Sequence, residues 1–357
     1  MTLIHAADLH LRDTAGERDY GLAVLDEILD LVRREEADLL LFAGDLFDSY
    51  DDAEALRSVV AERIAGLPQA SEALLLPGNH ELLRAGSRGF DRLQFGELSV
   101  ASVEPFSRRV HQDVELILIP HQQEYADYLD WEIPPRRAGY RIVAAHATVA
   151  GLYYDDSGEE GGGSLDPDLL ARFAGDYIAL GHIHAGQELR VSGAPAIYPG
   201  SARVWRRGET GPRSVVRVDL DGEPRWTRLP LQSAGEYRPV AVSIEPDGST
   251  GGEIEELELR PADSLELLLN GVVESDAVLS RAVAGLRRRL EGQVRNLRIV
   301  GDDVILLDGV SEEPIVQRFL EVWRREGVEL REEDRALWYR AREIGLQAAK
   351  DLIEQKK

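Results

Sequence analysis

The chain has 357 residues, of which 43% are hydrophobic and 30% charged, with no cysteine and a formal net charge of −24 at pH 7. This composition excludes a fibrous or disordered chain, and the length predicts one large domain with one or two small ones. The lack of cysteine excludes disulfides and thiolate chemistry, so any metal must be held by nitrogen and oxygen; the acidic balance argues against a general nucleic-acid surface, although bound cations or a local arginine cluster can invert charge locally.

The opening Met1-Thr2-Leu3-Ile4-His5 has neither a basic segment nor a long apolar one. No later stretch reaches the roughly 20 apolar residues that span a bilayer, which predicts a cytoplasmic protein without membrane contact. Strands are predicted at Leu3 to Ala7, Leu39 to Ala43, Ala73 to Leu76, Leu116 to Ile119, Arg141 to Ala145, Tyr177 to Leu180 and Ala196 to Tyr198. Between the first two, Asp19 to Glu36 places Leu22, Leu25, Ile28, Leu29 and Val32 on one helical face, as a helix laid on a sheet requires. This alternation predicts a layered α/β domain. Gly158 to Gly163, flanked by acids, reads as a mobile loop.

Ser214 to Leu220 and Arg225 to Leu231 form a strand pair about an Asp221-Gly222 turn, and Gln232 to Tyr237 reads as a linker. From Pro239 a smaller α+β unit begins, with strands near Val240 to Ile244, Ser264 to Asn270 and Val294 to Val300. Its helix over 276–291 carries Leu279, Val283, Leu286 and Leu290 on one face. Two helices end the chain, the first striped by Val316, Phe319, Leu320 and Trp323, the second by Leu337, Ala341, Ile344, Ala348 and Leu352. Such stripes pack on their own chain or dock a partner. The predicted organisation is a domain over 1–231, a small unit over 239–310 and a helical segment over 311–357.

Five motifs follow predicted strands in order: Ala-Asp-Leu-His-Leu at 7–11, Ala-Gly-Asp-Leu-Phe-Asp at 43–48, Pro-Gly-Asn-His-Glu at 77–81, Ala-Ala-His-Ala at 144–147 and Ala-Leu-Gly-His-Ile-His at 179–184. Each starts where an apolar run ends, which gathers the polar residues at the carboxyl ends of strands. Asp8 and His10, one residue apart, would point to the same side of an extended backbone and grip one ion, and His182 and His184 repeat that spacing. Asp45 supplies a carboxylate able to bridge two ions, Asn79 an amide oxygen and His146 an imidazole. Two divalent cations roughly 3.5 to 4 Å apart would activate a water and neutralise charge building on a phosphoryl group, which is phosphate-ester hydrolysis. A donor set without thiolate suits manganese, iron or zinc better than magnesium alone. The Asp-x-His, Gly-Asp and Gly-Asn-His motifs alone are more often turn chemistry than ligands, and Gly-His-x-His is more specific; their ordered co-occurrence, with five of the eight histidines, carries the reading.

In order and type these motifs resemble those of calcineurin-like metallophosphoesterases over about residues 1–231. Ile-His-Ala-Ala-Asp-Leu-His-Leu, Gly-Asp-Leu-Phe-Asp, the run at 176–184 and Tyr-Pro-Gly-Ser at 198–201 resemble the SbcD-type DNA repair exonucleases among them. The resemblance implies a four-layer α-β-β-α sandwich, a capping domain at 239–310, two divalent ions with manganese preferred, DNA as substrate, a homodimer and an SbcC-type coiled-coil ATPase as partner. It assigns Asp8, His10, Asp45 and His184 to one metal and Asp45, Asn79, His146 and His182 to the other. It leaves His80 over the scissile phosphate as the catalytic residue. Three departures stand out: Asp48 where some relatives carry histidine, Glu81 where aspartate is commoner, and Ser49 to Ala53 without the Arg-Pro often found there.

For nucleic acid, Arg203, Arg206 and Arg207 around Trp205 offer an aromatic for base stacking flanked by cations for phosphates, or else a solvated turn with a half-buried tryptophan. Arg84 and Arg88 form a second cluster, and Arg287 to Arg289 decorate a helix. The expected function is a metal-dependent DNA exonuclease and endonuclease; the alternative is a phosphoesterase acting on a small nucleotide or cyclic nucleotide.

Overall fold

A computed structural model describes residues 1–83, 89–122, 130–151, 164–308, 313–326 and 332–354. The chain divides into a first unit, Met1–Glu236, and a second, Tyr237–Lys357. The predicted loop over 158–163 lies outside the described residues.

The first unit runs β1 (Thr2–Ala6), α1 (Glu17–Arg34), β2 (Leu39–Phe42), α2 (Tyr50–Ile64), β3 (Glu72–Leu75), β4 (Leu98–Val100), β5 (Ser107–His111), β6 (Val114–Ile119), β7 (Tyr140–His146), β8 (Thr148–Val149), β9 (Ser164–Leu165), α3 (Pro167–Arg172), β10 (Tyr177–Gly181), β11 (Gln187–Val191), β12 (Ala194–Tyr198), β13 (Ser214–Asp219) and β14 (Arg225–Pro230). One six-stranded sheet has the order β14-β13-β1-β2-β3-β4 and the other β11-β12-β10-β7-β6-β5. The alternation of side chains along each strand decides the layering. On β2, Leu40 and Phe42 join a core with Leu25, Ile28, Leu29 and Val32 of α1 and Leu56 and Val60 of α2. Leu39 and Leu41 point the other way, into a core shared with Ile142, Ala144, Tyr177 and Ala179 of the second sheet. Val143, Ile178 and Leu180 on the outer face of that sheet pack with Leu169 and Leu170 of α3. The result is a four-layer α-β-β-α sandwich. Each fully buried leucine or isoleucine in it contributes about 1.5–3 kcal/mol.

α2 goes beyond the elements expected from sequence, though Ser49 caps it by accepting from Asp52 N at 3.2 Å and Ala53, Leu56, Val60 and Ile64 form its buried stripe. The edge strands β5 and β11 also go beyond them, because half-exposed edges such as Ser-Arg-Arg-Val-His carry no apolar run.

β1, β2 and β3 pair in parallel, as do β6, β7, β10 and β12. The motif loops therefore leave the carboxyl ends of parallel strands in both sheets, and the polar residues gather at one rim of the sandwich.

In the second unit, β15 (Tyr237–Ile244), β16 (Ser264–Val273) and β17 (Asn296–Leu306) form a parallel sheet in that order. α4 (Asp276–Leu290), capped by Ser275, packs Leu286 and Leu290 against Val242, Leu265, Leu267 and Leu269. α5 (Pro314–Glu326) and α6 (Glu332–Glu354) pack Val316, Leu346 and Ala349 against Val272 and Leu307. The stripe predicted for α6 is corrected: Leu337 is 73% and Ile344 63% exposed, and the helix instead buries Arg342, Leu346 and Ala349. α6 is apolar on two adjacent faces, and Arg342 turns inward because its guanidinium reaches Glu245 at 2.8 Å. Among the described residues, no helix is long and apolar enough to cross a membrane.

Candidate metal centre

The loops that meet at this rim hold unusual backbone. Asp8 (φ 54°), His10 (φ 47°), Asp45 (φ 51°) and His182 (φ 96°) all lie in the left-handed region, which costs non-glycine residues about 1–3 kcal/mol each. This corrects the extended geometry expected for Asp8 and His10. Their convergence comes from the tight loops, held by bonds from Asp8 N to Gly44 O (3.0 Å), His10 N to Asp45 O (2.9 Å) and Leu11 N to Leu46 O (2.8 Å). Two glycines permit the approach. A Cβ on Gly44 would lie 1.9 Å from His146 Nδ1, and one on Gly78 would lie 2.1 Å from Asp45 Oδ1.

Two overlapping groups of buried donors result, and a third, less buried, joins His10 to Asp48 and His80. On one side, Asp8, His10 and His184 bring ligand atoms within reach of a common point, with His10 Nε2 and His184 Nε2 3.1 Å apart and His184 Nε2 4.0 Å from Asp8 Oδ1. On the other, Asp8, Asp45 and His146 do the same. There Asn79 Oδ1 lies 2.9 Å from His146 Nε2 and 3.0 Å from His182 Nδ1. Asp45 lies between the groups, its Oδ2 3.5 Å from His146 and 3.8 Å from His10. His182 and His184 thus fall on opposite sides rather than gripping one ion.

The chemistry of this donor set fits cations. His146 Nδ1 donates to the Ala43 carbonyl at 2.8 Å, so the neutral ring turns its Nε2 lone pair toward Asn79 and Asp45 oxygens, which are acceptors too. Acceptors facing acceptors in a buried site require positive charge between them. In the metal-free protein a proton provides it: burial opposes protonation, but Asp45 outweighs burial and pushes His146 up to about 9. Two other imidazoles stay neutral, with burial pushing His10 down to about 4 and His182 to about 3. Burial would raise Asp45, yet His146 and His10 hold it below the usual carboxylate range.

His80 occupies a different position. Its side chain is 27% exposed, against 3% or less for His10, Asp45 and His146. Its backbone N–H donates to Asp45 Oδ1 at 3.0 Å and its Nδ1 to the Asp48 carbonyl at 2.6 Å. The Asp48 carboxylate lies 3.7 Å from that ring, 3.4 Å from His10 Nδ1 and 2.7 Å from Arg12 Nε.

Three residues around the centre were not assigned from sequence. Glu81, 1% exposed, accepts from the N–H groups of Gly78 (3.0 Å), Asp45 (3.1 Å) and Phe47 (3.0 Å), and so ties two motif loops together. Burial and nearby Asp45 push it up to about 8, so its ionised form depends on positive charge in the site. Glu209 faces His184 Nδ1 at 2.6 Å. His121 stacks beside His182 at 6.5 Å with its Nδ1 buried and unbonded among the described residues. Of these only Glu81 had a sequence signal, its place after Asn79-His80. The other histidines lie elsewhere, His5 on the Tyr177 hydroxyl and His111 on Glu72.

The arginines expected to bind nucleic acid divide between two environments. Arg203 is fully buried, and its guanidinium donates to the carbonyls of Leu9 (2.7 Å) and His10 (2.6 Å) and pairs with Glu17 (2.5 Å). It braces the first motif loop, so the expectation that it contacts nucleic acid is corrected. Trp205 is half-buried and stacks on His10, ring centroids 4.8 Å apart and 6° from parallel, with Arg12 Cζ 3.8 Å from its centre. Arg206 and Arg207 are exposed. Arg84 and Arg88 lie outside the described residues.

The family description "calcineurin-like phosphoesterase" matches residues 1–186, which contain all five motifs and every metal donor described above. The chain belongs to this family. As a calcineurin-like phosphoesterase it is a metal-dependent hydrolase of phosphoesters. Among curated relatives, it is 26% identical over 317 residues to the SbcD subunit of the nuclease SbcCD of Bacillus subtilis, covering 75% of this chain and 81% of that protein. It is 25% identical over 328 residues to the DNA double-strand break repair protein Mre11 of Aeropyrum pernix, covering 78% and 75%. It is also 26% identical over 246 residues to the uncharacterized metallophosphoesterase YhaO of Bacillus subtilis, covering 62% and 57%.

Proposed function

We propose that the chain is a two-metal DNA nuclease, with both exonuclease and endonuclease action, that works as the nuclease subunit of a repair complex with an SbcC-type coiled-coil ATPase. The observation that carries the phosphodiesterase reading is the convergence of acceptors from both sheets beside the half-buried ring of His80. Asp8, His10, Asp45 and His184 would hold one divalent ion, most suitably manganese, and Asp45, Asn79, His146 and His182 the other. Bound there, the ions would supply the Lewis-acid charge that activates water and neutralises the phosphoryl oxygens.

The chain's own residues do the rest. Ala43 O and Glu209 orient His146 and His184, while Glu81 sets the distance between two motif loops. His80, steered by the Asp48 carbonyl, presents Nε2 toward the leaving oxygen, which it protonates or stabilises as charge develops.

DNA as substrate is supported by the two repair nucleases among the relatives, whose alignments cover three-quarters of this chain and so extend past the first unit. On this reading the second unit is a capping domain over 239–310 with the helices after 311 available to the ATPase, and the protein pairs with a second copy. The small-nucleotide alternative rests on one observation, the net charge of −24 with Arg203 withdrawn from the surface.

The two readings part in one experiment. With manganese, the wild type should shorten a labelled linear duplex, and His80→Ala should lower that rate by about 10²- to 10⁴-fold while still binding manganese. Hydrolysis of bis(p-nitrophenyl) phosphate or cyclic nucleotides with the duplex left intact would sink the nuclease reading.

A further inference from the structure

The two histidines that flank the centre are backed by different chemistry. His146 Nδ1 donates to a neutral carbonyl, Ala43 O at 2.8 Å, whereas His184 Nδ1 meets the Glu209 carboxylate at 2.6 Å. The latter pair is secluded, with side-chain exposures of 8% and 11%. The other Glu209 oxygen is held in place by Trp205 N (2.7 Å) and Ser201 Oγ (3.4 Å), with the Arg213 guanidinium 3.9 Å away. Trp205, fixed through its own backbone N–H, is the ring stacked on His10. A single carboxylate therefore steadies both imidazoles on the side that Asp8, His10 and His184 share.

A carboxylate behind an imidazole fixes its tautomer and raises its basicity as a ligand, and such partners are worth about 10- to 100-fold in metal affinity. A carbonyl orients the ring without adding charge. Asp8 lies within reach of both groups, so the difference in charge behind the two sides rests on Glu209.

We propose that Glu209 is a positioning residue that makes the Asp8–His10–His184 side the tighter of two cation sites, so that divalent ions load in sequence with this side filled first. The proposal rests on the two-metal reading above.

The test is calorimetric titration of manganese into the full-length protein. The wild type should bind in two resolved steps. Asn79→Ala should lose the weaker step and keep the tighter one. Glu209→Ala should weaken the tighter step by about 10- to 100-fold, and Glu209→Gln, which retains an acceptor without the charge, should fall between. The weaker step should move less than the tighter one. The manganese concentration giving half-maximal hydrolysis of bis(p-nitrophenyl) phosphate should rise more than the maximal rate falls. Metal-free melting curves show that each variant is folded, with Glu209→Gln deciding the matter if Glu209→Ala unfolds. Two equal steps in the wild type, loss of the tighter step in Asn79→Ala, or an unshifted tighter step in Glu209→Gln would overturn the proposal and leave the two-metal reading standing. A wild type that binds fewer than two ions would overturn that reading itself.

Discussion

In the second unit, buried charge is matched at short range. Asp263 meets Arg260 at 3.2 Å and Arg238 at 3.6 Å, Glu266 meets Arg298 at 3.0 Å, and Arg342 meets Glu245 at 2.8 Å. The first unit matches buried charge in the same way away from its rim, as Arg141 with Glu115 at 2.7 Å and Arg203 with Glu17 at 2.5 Å, but the rim itself is different. Asp8, Asp45, Asn79 and the imidazoles of His10, His146, His182 and His184 face one another. Their loops carry left-handed backbone at non-glycine residues, a conformation found among the described residues of the first unit alone. Matched ion pairs hold a scaffold together, whereas crowded acceptors on strained loops are stable only when a cation or proton joins them. The contrast separates a rim arranged to bind from the parts of both units arranged to persist.

The largest effect should come from the residue placed between the donor groups. Asp45→Asn should lower phosphodiester hydrolysis by more than about 10³-fold and abolish both manganese-binding steps, with helical and strand content unchanged by circular dichroism. A variant that still binds two ions would remove Asp45 from its place between them. Next, Arg203→Ala should destabilise the first unit by about 3–5 kcal/mol in denaturant unfolding, because it strands Glu17 and two loop carbonyls. If it unfolded normally and instead lost DNA affinity, the arginine would belong to a nucleic-acid surface after all.

Leu267→Ala, in the core of the second unit, should cost about 2–5 kcal/mol there and leave the manganese titration of the first unit in place. Coupled losses would mean that the two units are energetically one.

The smallest effect concerns pH. His146 titrates near 9 in the folded metal-free protein against 6.5 when unfolded, so its contribution is fully present below about 6.5 and is lost as pH rises through 9. His10 and His182 are depressed to about 4 and 3, so they destabilise the fold as pH falls below 6.5. Melting temperature without metal should thus pass through a maximum near pH 6.5. Saturating manganese, which replaces the His146 proton, should flatten the alkaline side. An alkaline limb unaffected by manganese would show that His146 is no ligand.

The donor set was legible in sequence because each motif is local: an apolar strand ends, a turn follows, and the polar residue sits at a rim shared by parallel strands. The sandwich could be expected for the same reason, since Leu39 to Phe42 and Tyr177 to Leu180 are apolar on both faces and must be covered on both. Amphipathic α1 is legible in the sequence, while the stripe of α2 is short and crowded by charge.

Other features depend on contacts between residues far apart in the chain. Arg203 looked like a surface cation in its own loop, and only the carbonyls of Leu9 and His10, more than 190 positions away, turn it into a buried brace. Glu209 gains its meaning from His184, and α6 selects between two apolar faces by where Arg342 finds Glu245. Sequence determined which side chains could bind a cation and which strands would carry them there, because strand period and turn chemistry act over a few residues. Tertiary structure alone decided which polar groups are consumed in holding the fold and which are left facing the site, because a hydrogen bond or ion pair depends on what the rest of the chain brings within about 3 Å.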